Sequence, residues 1–337
     1  MVLLTGRNVN LSVLSRTALS RGLSGLQGFT VMKDGNEVVE CFPATVSIIV
    51  KASGDLRDEV QDSIDRAGLR EIQAQYTPSS LAKTSSREFD RVRTASGSEI
   101  LTSMQTNSAD LGHWLQEIMS LEGDGTGLVL DTNIIMKHYV RNLLHPVLGQ
   151  EILRKMQIRI PRLCLLEIER QFNEPRVDSR KEAKEKKRRL ALYAARETLF
   201  LKTVGAEFLP DLKDTTLQGF SRIAGEKFSD AWIRREVKEY RQTRFSGGAI
   251  YHPLVFATCD LMNALAASAE GLAVLYFSRM EERDSYAYRD MNQVAELIVD
   301  LAVSLSKIEI GNAAYEGLWE GKTIWQWEAD CVRAIPR

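Results

Sequence analysis

The stretch from Gly127 to Asn133 is the part of the sequence whose residue types most clearly suggest chemistry. Three apolar residues lead into Asp131, and two small polar residues, Thr132 and Asn133, follow it. This pattern predicts a short buried strand that presents Asp131 at its C-terminal end, where open parallel sheets bind ligands. Burying an unpaired carboxylate costs on the order of several kcal/mol. A cation is therefore the expected partner of Asp131, and a metal ion is the obvious candidate.

Three further carboxylates are predicted to occupy similar positions. Glu167 and Asp230 each open a predicted helix, and Asp260 ends a predicted strand. Strand ends and helix starts meet at one edge of a parallel α/β sheet, so we expect these residues to converge on Asp131. Clustered carboxylates stay ionised together only when a cation neutralises them, and hard oxygen ligands without His or Cys favour Mg²⁺ or Mn²⁺. Such ions bind phosphate oxygens and activate water, which implies phosphodiester hydrolysis.

Three of these residues also have purely structural interpretations. Asp131 can be an ordinary strand-end residue that bonds to turn amides. Asp230 and Asp260 can each cap a helix, and Asp230 can form an i,i+4 ion pair with Arg234. The apolar residues before Asp131 and the strand–helix–strand context of Asp260 favour ligation of a metal at those two positions, whereas Asp230 stays open between the two interpretations.

Two more side chains near the predicted site have alternatives. Glu167 can be a solvated helix residue, in which case Glu169 or Glu174 would take its place; its offset from Pro161 favours Glu167. Asn263 either faces the same site or points into solvent, and solvent is the expectation.

The sequence around these residues resembles the four acidic motifs of PIN-domain nucleases. The matching segments are Val129-Leu-Asp-Thr-Asn, Pro161-Arg-Leu-Cys-Leu-Leu-Glu-Ile, Asp230-Ala-Trp-Ile and Thr258-Cys-Asp…Ala266…Gly271-Leu-Ala-Val. The resemblance covers roughly residues 127–280, less than half of the chain. It implies a Rossmann-like parallel sheet, dependence on a divalent metal, and cleavage of RNA, usually single-stranded. It also implies metal ligation and catalysis by Asp131, Glu167, Asp230 and Asp260, with supporting polar groups at Thr132, Asn133 and Thr258.

The sequence departs from the PIN pattern in its spacing. A charged insertion fills the long gap between Glu167 and Asp230, and the gap from Asp230 to Asp260 is also longer than is usual in the family. The run Lys181–Arg189 in the insertion holds six basic residues and two acids, which is typical of a solvated helix face. The alternative is contact with phosphates. The candidates for that contact are Arg176, Arg180, Lys184, Lys187 and Arg188.

Two other functions are compatible with parts of the pattern. A haloacid-dehalogenase-like phosphatase also uses a strand-end Asp, but it needs a second Asp two residues later, where this chain has Asn133. A non-catalytic scaffold that binds nucleic acid or protein would keep the sheet without using the acids. We therefore expect an endoribonuclease acting on single-stranded RNA, with DNA as a possible substrate and the scaffold as the alternative.

Composition narrows the class of protein. The 337 residues are 44% hydrophobic, which is ample for a buried core, and the net charge of −1 limits nucleic-acid binding to local patches. The four cysteines show no CxxC spacing, which favours a reducing compartment such as the cytoplasm, and no apolar run is long enough to span a membrane. Several arginines without an acidic residue before Asp34 leave an organelle transit peptide as the alternative.

The elements that must position the site follow from periodicity. Strands on both sides of Asp34-Gly35-Asn36 and a helix ending at Gly68 predict a small α+β domain over residues 1–76. Residues 77–122 read as a linker and a helix over 100–121. Alternating strands and helices over 123–307 predict a PIN-like α/β domain with a parallel sheet flanked by helices.

Two further segments complete the predicted organisation. A helical insertion is expected over 178–228, and residues 308–337 are expected to form a C-terminal β-hairpin extension that turns at Glu320-Gly321. The N-terminal domain is compatible with substrate selection, with inhibitor binding or with formation of a homo-oligomer.

Overall fold

The protein is a mixed α/β molecule built on two large sheets. The computed structural model describes residues 12–79, 101–105, 108–123, 125–173, 181–210, 230–245, 247–279, 281–317 and 331–336.

The strands alternate with helices through much of the chain. The strands are β1 (Ser12–Ser15), β2 (Phe29–Lys33), β3 (Asn36–Phe42), β4 (Ser47–Val50), β5 (Ile72–Thr77), β6 (Leu101–Gln105), β7 (Gly127–Leu130), β8 (Arg159–Ile160), β9 (Glu207–Phe208), β10 (Gln242–Phe245), β11 (Gly248–Tyr251), β12 (Leu254–Thr258), β13 (Ala273–Arg279), β14 (Ser285–Ala287), β15 (Lys307–Ile310), β16 (Ala313–Glu316) and β17 (Cys331–Pro336). The helices are α1 (Arg16–Leu23), α2 (Gly54–Arg66), α3 (Ser108–Glu122), α4 (Thr132–Met136), α5 (His145–Lys155), α6 (Arg162–Asn173), α7 (Lys181–Thr203), α8 (Asp230–Arg241), α9 (Leu261–Ala269) and α10 (Met291–Ser304). A 3₁₀ turn covers Pro43–Thr45, and a π-helical turn covers Val140–Leu144.

The first sheet carries the predicted site and mixes parallel with antiparallel strands. Within the described residues its order is β6-β5-β13-β12-β7-β8-β9. The strands from β13 to β9 run parallel, whereas β5 pairs antiparallel with β13 and β6 antiparallel with β5. The central strands β7 and β12 are buried throughout, as expected for strands covered on both faces. The expectation of a purely parallel sheet is therefore only partly right.

The segment before the site also differs from its predicted form. A helix was expected over 100–121, but Leu101–Gln105 is a strand and the helix begins at Ser108. The strand forms because β5 offers it an antiparallel edge, and that edge is a non-local feature that local propensity does not contain.

The second sheet is antiparallel and joins the two ends of the described chain. Eight described strands form it in the order β1-β17-β16-β15-β2-β3-β4-β14. The turn at Asp34 and Gly35 has positive φ at both residues, which confirms the predicted hairpin between β2 and β3. The C-terminal strands are not a separate extension, because β15 pairs with β2. Their hairpin turns after Ile310, at Gly311; the expected turn at Glu320-Gly321 lies outside the described residues.

Two hydrophobic clusters accompany the two sheets, and their membership cuts across the predicted domain boundaries. The cluster of the mixed sheet includes Ile72, Ala74 and Tyr76 from the segment assigned to the N-terminal domain. The cluster of the antiparallel sheet includes most of α10, from the segment assigned to the PIN-like domain. Burial alternates along β5, as expected for a strand with one covered face, but alternation does not reveal which sheet the strand joins.

Helix α7 connects the two clusters. It contacts α4 and α6 beside the mixed sheet and α10 beside the antiparallel sheet. Its second half is buried at Ala191, Ala194 and Leu201, and a buried ion pair joins Arg196 to Glu296 of α10. Part of the predicted insertion is therefore core, and β9 within it extends the mixed sheet next to β8. Within the described residues, no helix combines the length and apolar character needed to cross a bilayer.

Candidate active site

Asp131 lies at the carboxyl end of β7, where the sheet is fully buried. Its backbone N–H donates to the carbonyl of Ala257 at 2.9 Å, which extends the pairing with β12 by one residue. The same residue is the N-cap of α4, and its Oδ1 accepts a hydrogen bond from the N–H of Thr132 at 2.8 Å. The predicted strand end is thus confirmed, and the alternative in which Asp131 bonds to turn amides holds alongside it.

The carboxylate of Asp131 receives most of its hydrogen bonds on one oxygen. Oδ2 accepts from the hydroxyl of Thr258 at 2.6 Å and from the amides of Asn133 and Asn263, each at 2.8 Å. The side chain is buried, with 1% of the residue's surface exposed. Oδ2 is therefore saturated, whereas Oδ1 accepts one hydrogen bond within the described residues. Oδ1 is the oxygen with room for another partner.

A second set of contacts holds these donors in place. Asn133 accepts at Oδ1 from the N–H of Cys259 at 3.0 Å, and its amide also reaches the hydroxyl of Thr258 at 3.1 Å. Asn263 accepts at Oδ1 from Nη1 of Arg234 at 2.6 Å. The supporting positions predicted at Asn133 and Thr258 do contact Asp131. Hydrogen bonds of this kind hold a ligating carboxylate in one orientation.

Asn263 is the residue that the sequence prediction placed wrongly. It was expected to face solvent, but it is 2% exposed and donates to Asp131. On α9 it lies four residues before the buried Ala267, so the helical period puts both on the inward face. The four-residue spacing of Asn263 and Ala267 could therefore have predicted that Asn263 is buried.

Glu167 is joined to Asp131 through Thr132. The hydroxyl of Thr132 donates to Oε2 of Glu167 at 2.6 Å, while the N–H of the same residue donates to Asp131. Glu167 is partly exposed on α6, and the alternative Glu169 is exposed. Glu174, the other alternative, lies outside the described residues. The structure therefore brings Glu167 to the site by way of one intervening side chain.

Asp260 and Asp230 lie on the exposed side of the same edge. Oδ1 of Asp260 accepts from the backbone N–H groups of Met262 and Asn263 at 2.8 and 3.1 Å, so Asp260 caps α9. Asp230 opens α8, and the alternative i,i+4 ion pair with Arg234 does not form among the described contacts: Nε of Arg234 donates to Glu270 at 2.9 Å.

The electrostatics show that these acids repel one another. Burial raises the pKa of Asp131 to about 6, hydrogen bonds from Thr258 oppose the rise, and the charge of Asp230 adds to it. Burial also raises the pKa of Asp230, with a further contribution from Asp260 and an opposing one from Arg234. Asp131, Asp230 and Asp260 therefore share one region of negative potential.

The carboxylate of Asp131 differs in its partners from four other buried carboxylates, whereas the buried Glu122 likewise accepts from neutral groups, on Tyr76 and Ser79. Asp65, Glu197, Glu296 and Asp300 are all buried, and each forms an ion pair with an arginine or a lysine. Asp131 accepts hydrogen bonds from neutral groups and forms no ion pair with a described residue. Its negative charge thus lacks a counter-ion in the described protein.

Asp131, Glu167, Asp230 and Asp260 do not form a preformed metal site in the described structure. Within the described residues, no group of three His, Cys, Asp or Glu side chains is arranged to hold a metal ion. The donor chemistry nevertheless fits a hard divalent cation, because carboxylate oxygens are the ligands that Mg²⁺ and Mn²⁺ prefer and Asp131 has no cationic partner in the described part of the chain.

The basic residues that are candidates for contact with phosphates have no described side chains. Lys184, Lys187 and Arg188 belong to α7, but their side chains lie outside what the structure describes, as do Arg176 and Arg180 entirely.

Comparisons with models of protein families, with curated protein sequences and with solved structures found no match to this chain.

Proposed function

We propose that the protein is a divalent-metal-dependent phosphodiester hydrolase, an endoribonuclease that cuts single-stranded RNA. The observation that carries the proposal is the carboxylate of Asp131, which is buried beside two further acids and has no counter-ion among the described residues. A buried charge of this kind is costly unless a cation meets it. The parallel run of β13, β12, β7, β8 and β9, with acids at its carboxyl edge, is compatible with a PIN-like arrangement.

The proposed ligands of Mg²⁺ or Mn²⁺ are Asp131, Glu167, Asp230 and Asp260. When bound, such an ion supplies an activated water at neutral pH and offsets charge on the phosphate. Asp131 would use Oδ1, because Oδ2 is already held by three donors. Thr132 orients Glu167, and the backbone N–H groups of α9 orient Asp260.

Arg234 and Asn263 act on the site indirectly. The guanidinium of Arg234 holds Asn263, and Asn263 in turn fixes Oδ2 of Asp131. These two are positioning residues, since neither needs to touch substrate. Their contacts restrict the rotation of the Asp131 carboxylate, so that Oδ1 keeps its direction.

The test is a cleavage assay on end-labelled single-stranded RNA and single-stranded DNA, in Mg²⁺, in Mn²⁺ and in excess EDTA. We expect cleavage of RNA in either metal, loss of cleavage in EDTA, and recovery when metal is added back in excess. Cleavage of DNA alone would change the substrate but keep the chemistry. Cleavage that persists in EDTA would refute the proposal, and a folded protein that cuts neither nucleic acid would favour the non-catalytic scaffold.

A further inference from the structure

A second polar cavity lies where the two hydrophobic clusters meet, away from the acidic edge. Its volume is about 390 Å³, and its walls come from the start of α1, the π-helical turn before α5, α7 and the start of α10. Ligand pockets commonly form at such junctions and commonly measure about 300–1,000 Å³. The lining includes four basic side chains and one aromatic ring: Arg16, Arg141, His145, Arg289 and Phe200.

The acidic side chains of the cavity are already engaged. Glu296 pairs with Arg16 at 2.9 Å and with the buried Arg196. Asp290 turns its Oδ1 toward the backbone N–H groups of Asn292 and Gln293, at 2.8 and 3.1 Å, and so caps α10. The charge of Glu296 is therefore neutralised by two guanidinium groups, and the carboxylate of Asp290 is held by hydrogen bonds at the start of α10.

Among the arginines that line the cavity, Arg289 has the weakest described side-chain contact to the rest of the protein. Its Nη2 lies 3.4 Å from the carbonyl oxygen of Asn142, a long contact to a neutral group. It forms no ion pair with any carboxylate in the described part of the chain. The residue is exposed, so its guanidinium can reach a ligand without breaking the fold.

The ring of Phe200 contacts one guanidinium group and one imidazole ring. The guanidinium of Arg141 lies 4.8 Å from the ring centroid of Phe200, and the ring of His145 meets Phe200 edge-on at 5.3 Å. Burial lowers the pKa of His145, and the charges of Arg141 and Arg16 lower it further, which places His145 in a positive field. A bound anion would offset the positive potential that Arg141 and Arg16 produce at His145.

We infer that this cavity binds a phosphate monoester. The guanidinium of Arg289 and the imidazole of His145 present donors that match phosphate oxygens, and arginine does so with a planar, bidentate fork. Arg16 and Arg141 add positive charge to the wall while they pair with Glu296 and Glu197. The shared chemistry is a terminal phosphate, which either a free mononucleotide or the 5′ end of an RNA supplies. The inference does not rest on the proposed nuclease function, because the cavity and the acidic edge share no residue.

The test is isothermal titration in excess EDTA, so that the acidic edge cannot contribute through a metal. The probes are inorganic phosphate, 5′-AMP and adenosine, followed by one RNA oligonucleotide with a 5′-phosphate and the same oligonucleotide with a 5′-hydroxyl. The variant is Arg289→Gln. The matched control is Arg283→Gln, since Arg283 is another exposed arginine with only a 3.4 Å contact, to Glu71, outside this cavity.

We expect phosphate and 5′-AMP to bind and adenosine not to bind. Arg289→Gln should weaken binding about tenfold or more, as expected for a lost charged hydrogen bond, and Arg283→Gln should not. Preference for the 5′-phosphorylated RNA would identify an RNA end as the source, and equal binding of both RNAs with 5′-AMP binding intact would identify a mononucleotide. Absence of phosphate and 5′-AMP binding at millimolar concentration would overturn the inference, as would equal losses in the two variants.

Discussion

The substitution Asp260→Asn separates charge from structure at the acidic edge. Asp260 caps α9 and Asp290 caps α10 with the same pair of distances, 2.8 and 3.1 Å, from one carboxylate oxygen to two backbone N–H groups. Asparagine keeps that oxygen and is as good an N-cap as aspartate. Asp290→Asn is therefore a matched control that makes the same chemical change away from the proposed metal.

The expected magnitudes follow from these contacts. Each variant loses the favourable interaction of a negative charge with a helix N-terminus, about 0.3–1 kcal/mol at an exposed site. Asp260→Asn also relieves repulsion of Asp230, so its free energy of unfolding should fall by no more than that of Asp290→Asn. Activity should separate the two, because changes even to groups behind metal ligands cost about 10–100-fold, and Asp260 is a proposed ligand.

The measurements are urea unfolding in EDTA and cleavage of a 5′-hydroxyl single-stranded RNA in Mn²⁺, a substrate without the terminal phosphate that the arginine-lined cavity is inferred to bind. Asp260→Asn should lower kcat/KM at least 100-fold while Asp290→Asn leaves it within about twofold. Equal activity of the two variants would refute the role given to Asp260. A loss of activity that tracks a large loss of stability would refute the claim that its charge, and not its cap, matters.

Two further predictions concern Thr132 and Asp131. Thr132→Val removes the 2.6 Å hydrogen bond to Glu167 and should lower kcat/KM about tenfold or more, whereas Thr132→Ser keeps the hydroxyl and most of the activity; equal rates in the two variants would contradict this. In EDTA, the pKa of Asp131 rises from 3.8 to about 6 on folding, so its contribution to stability is lost as pH rises through that interval, by about 3 kcal/mol at about 1.4 kcal/mol per unit. The free energy of unfolding of Asp131→Asn minus that of the wild type should therefore grow by most of that amount, about 2.4 kcal/mol, between pH 4 and pH 7, and a difference that stays constant with pH would contradict it.

Local patterns predict the elements around the site well. The apolar run before Asp131 and the Asp34–Gly35 turn are contained within a few residues, and both appear as predicted. Patterns that depend on distant partners were missed. Leu101–Gln105 becomes a strand only because β5 offers an edge, and β15 joins β2 across most of the sequence.

The same distinction applies within the site. Asp131 follows one apolar strand and Thr258 ends another, so their positions could be read directly from the sequence. The role of Asn263 depends on which face of α9 turns inward, and Arg234 bonds to Asn263 and Glu270 in place of its neighbour on α8. The inward face of α9 and the partners of Arg234 are determined by packing between α8, α9 and the sheet. The sequence of one segment alone does not contain that information.

The position of β1 has a consequence for how the protein is made. Ser12–Ser15 pairs with β17, whose residues Cys331–Pro336 are translated much later in the chain. The antiparallel sheet therefore cannot reach its final strand order until β17 has been translated, and β2 likewise cannot pair with β15 until β15 has been translated. The exposed edges left by that delay are the surfaces that a chaperone acting on the nascent chain would have to cover.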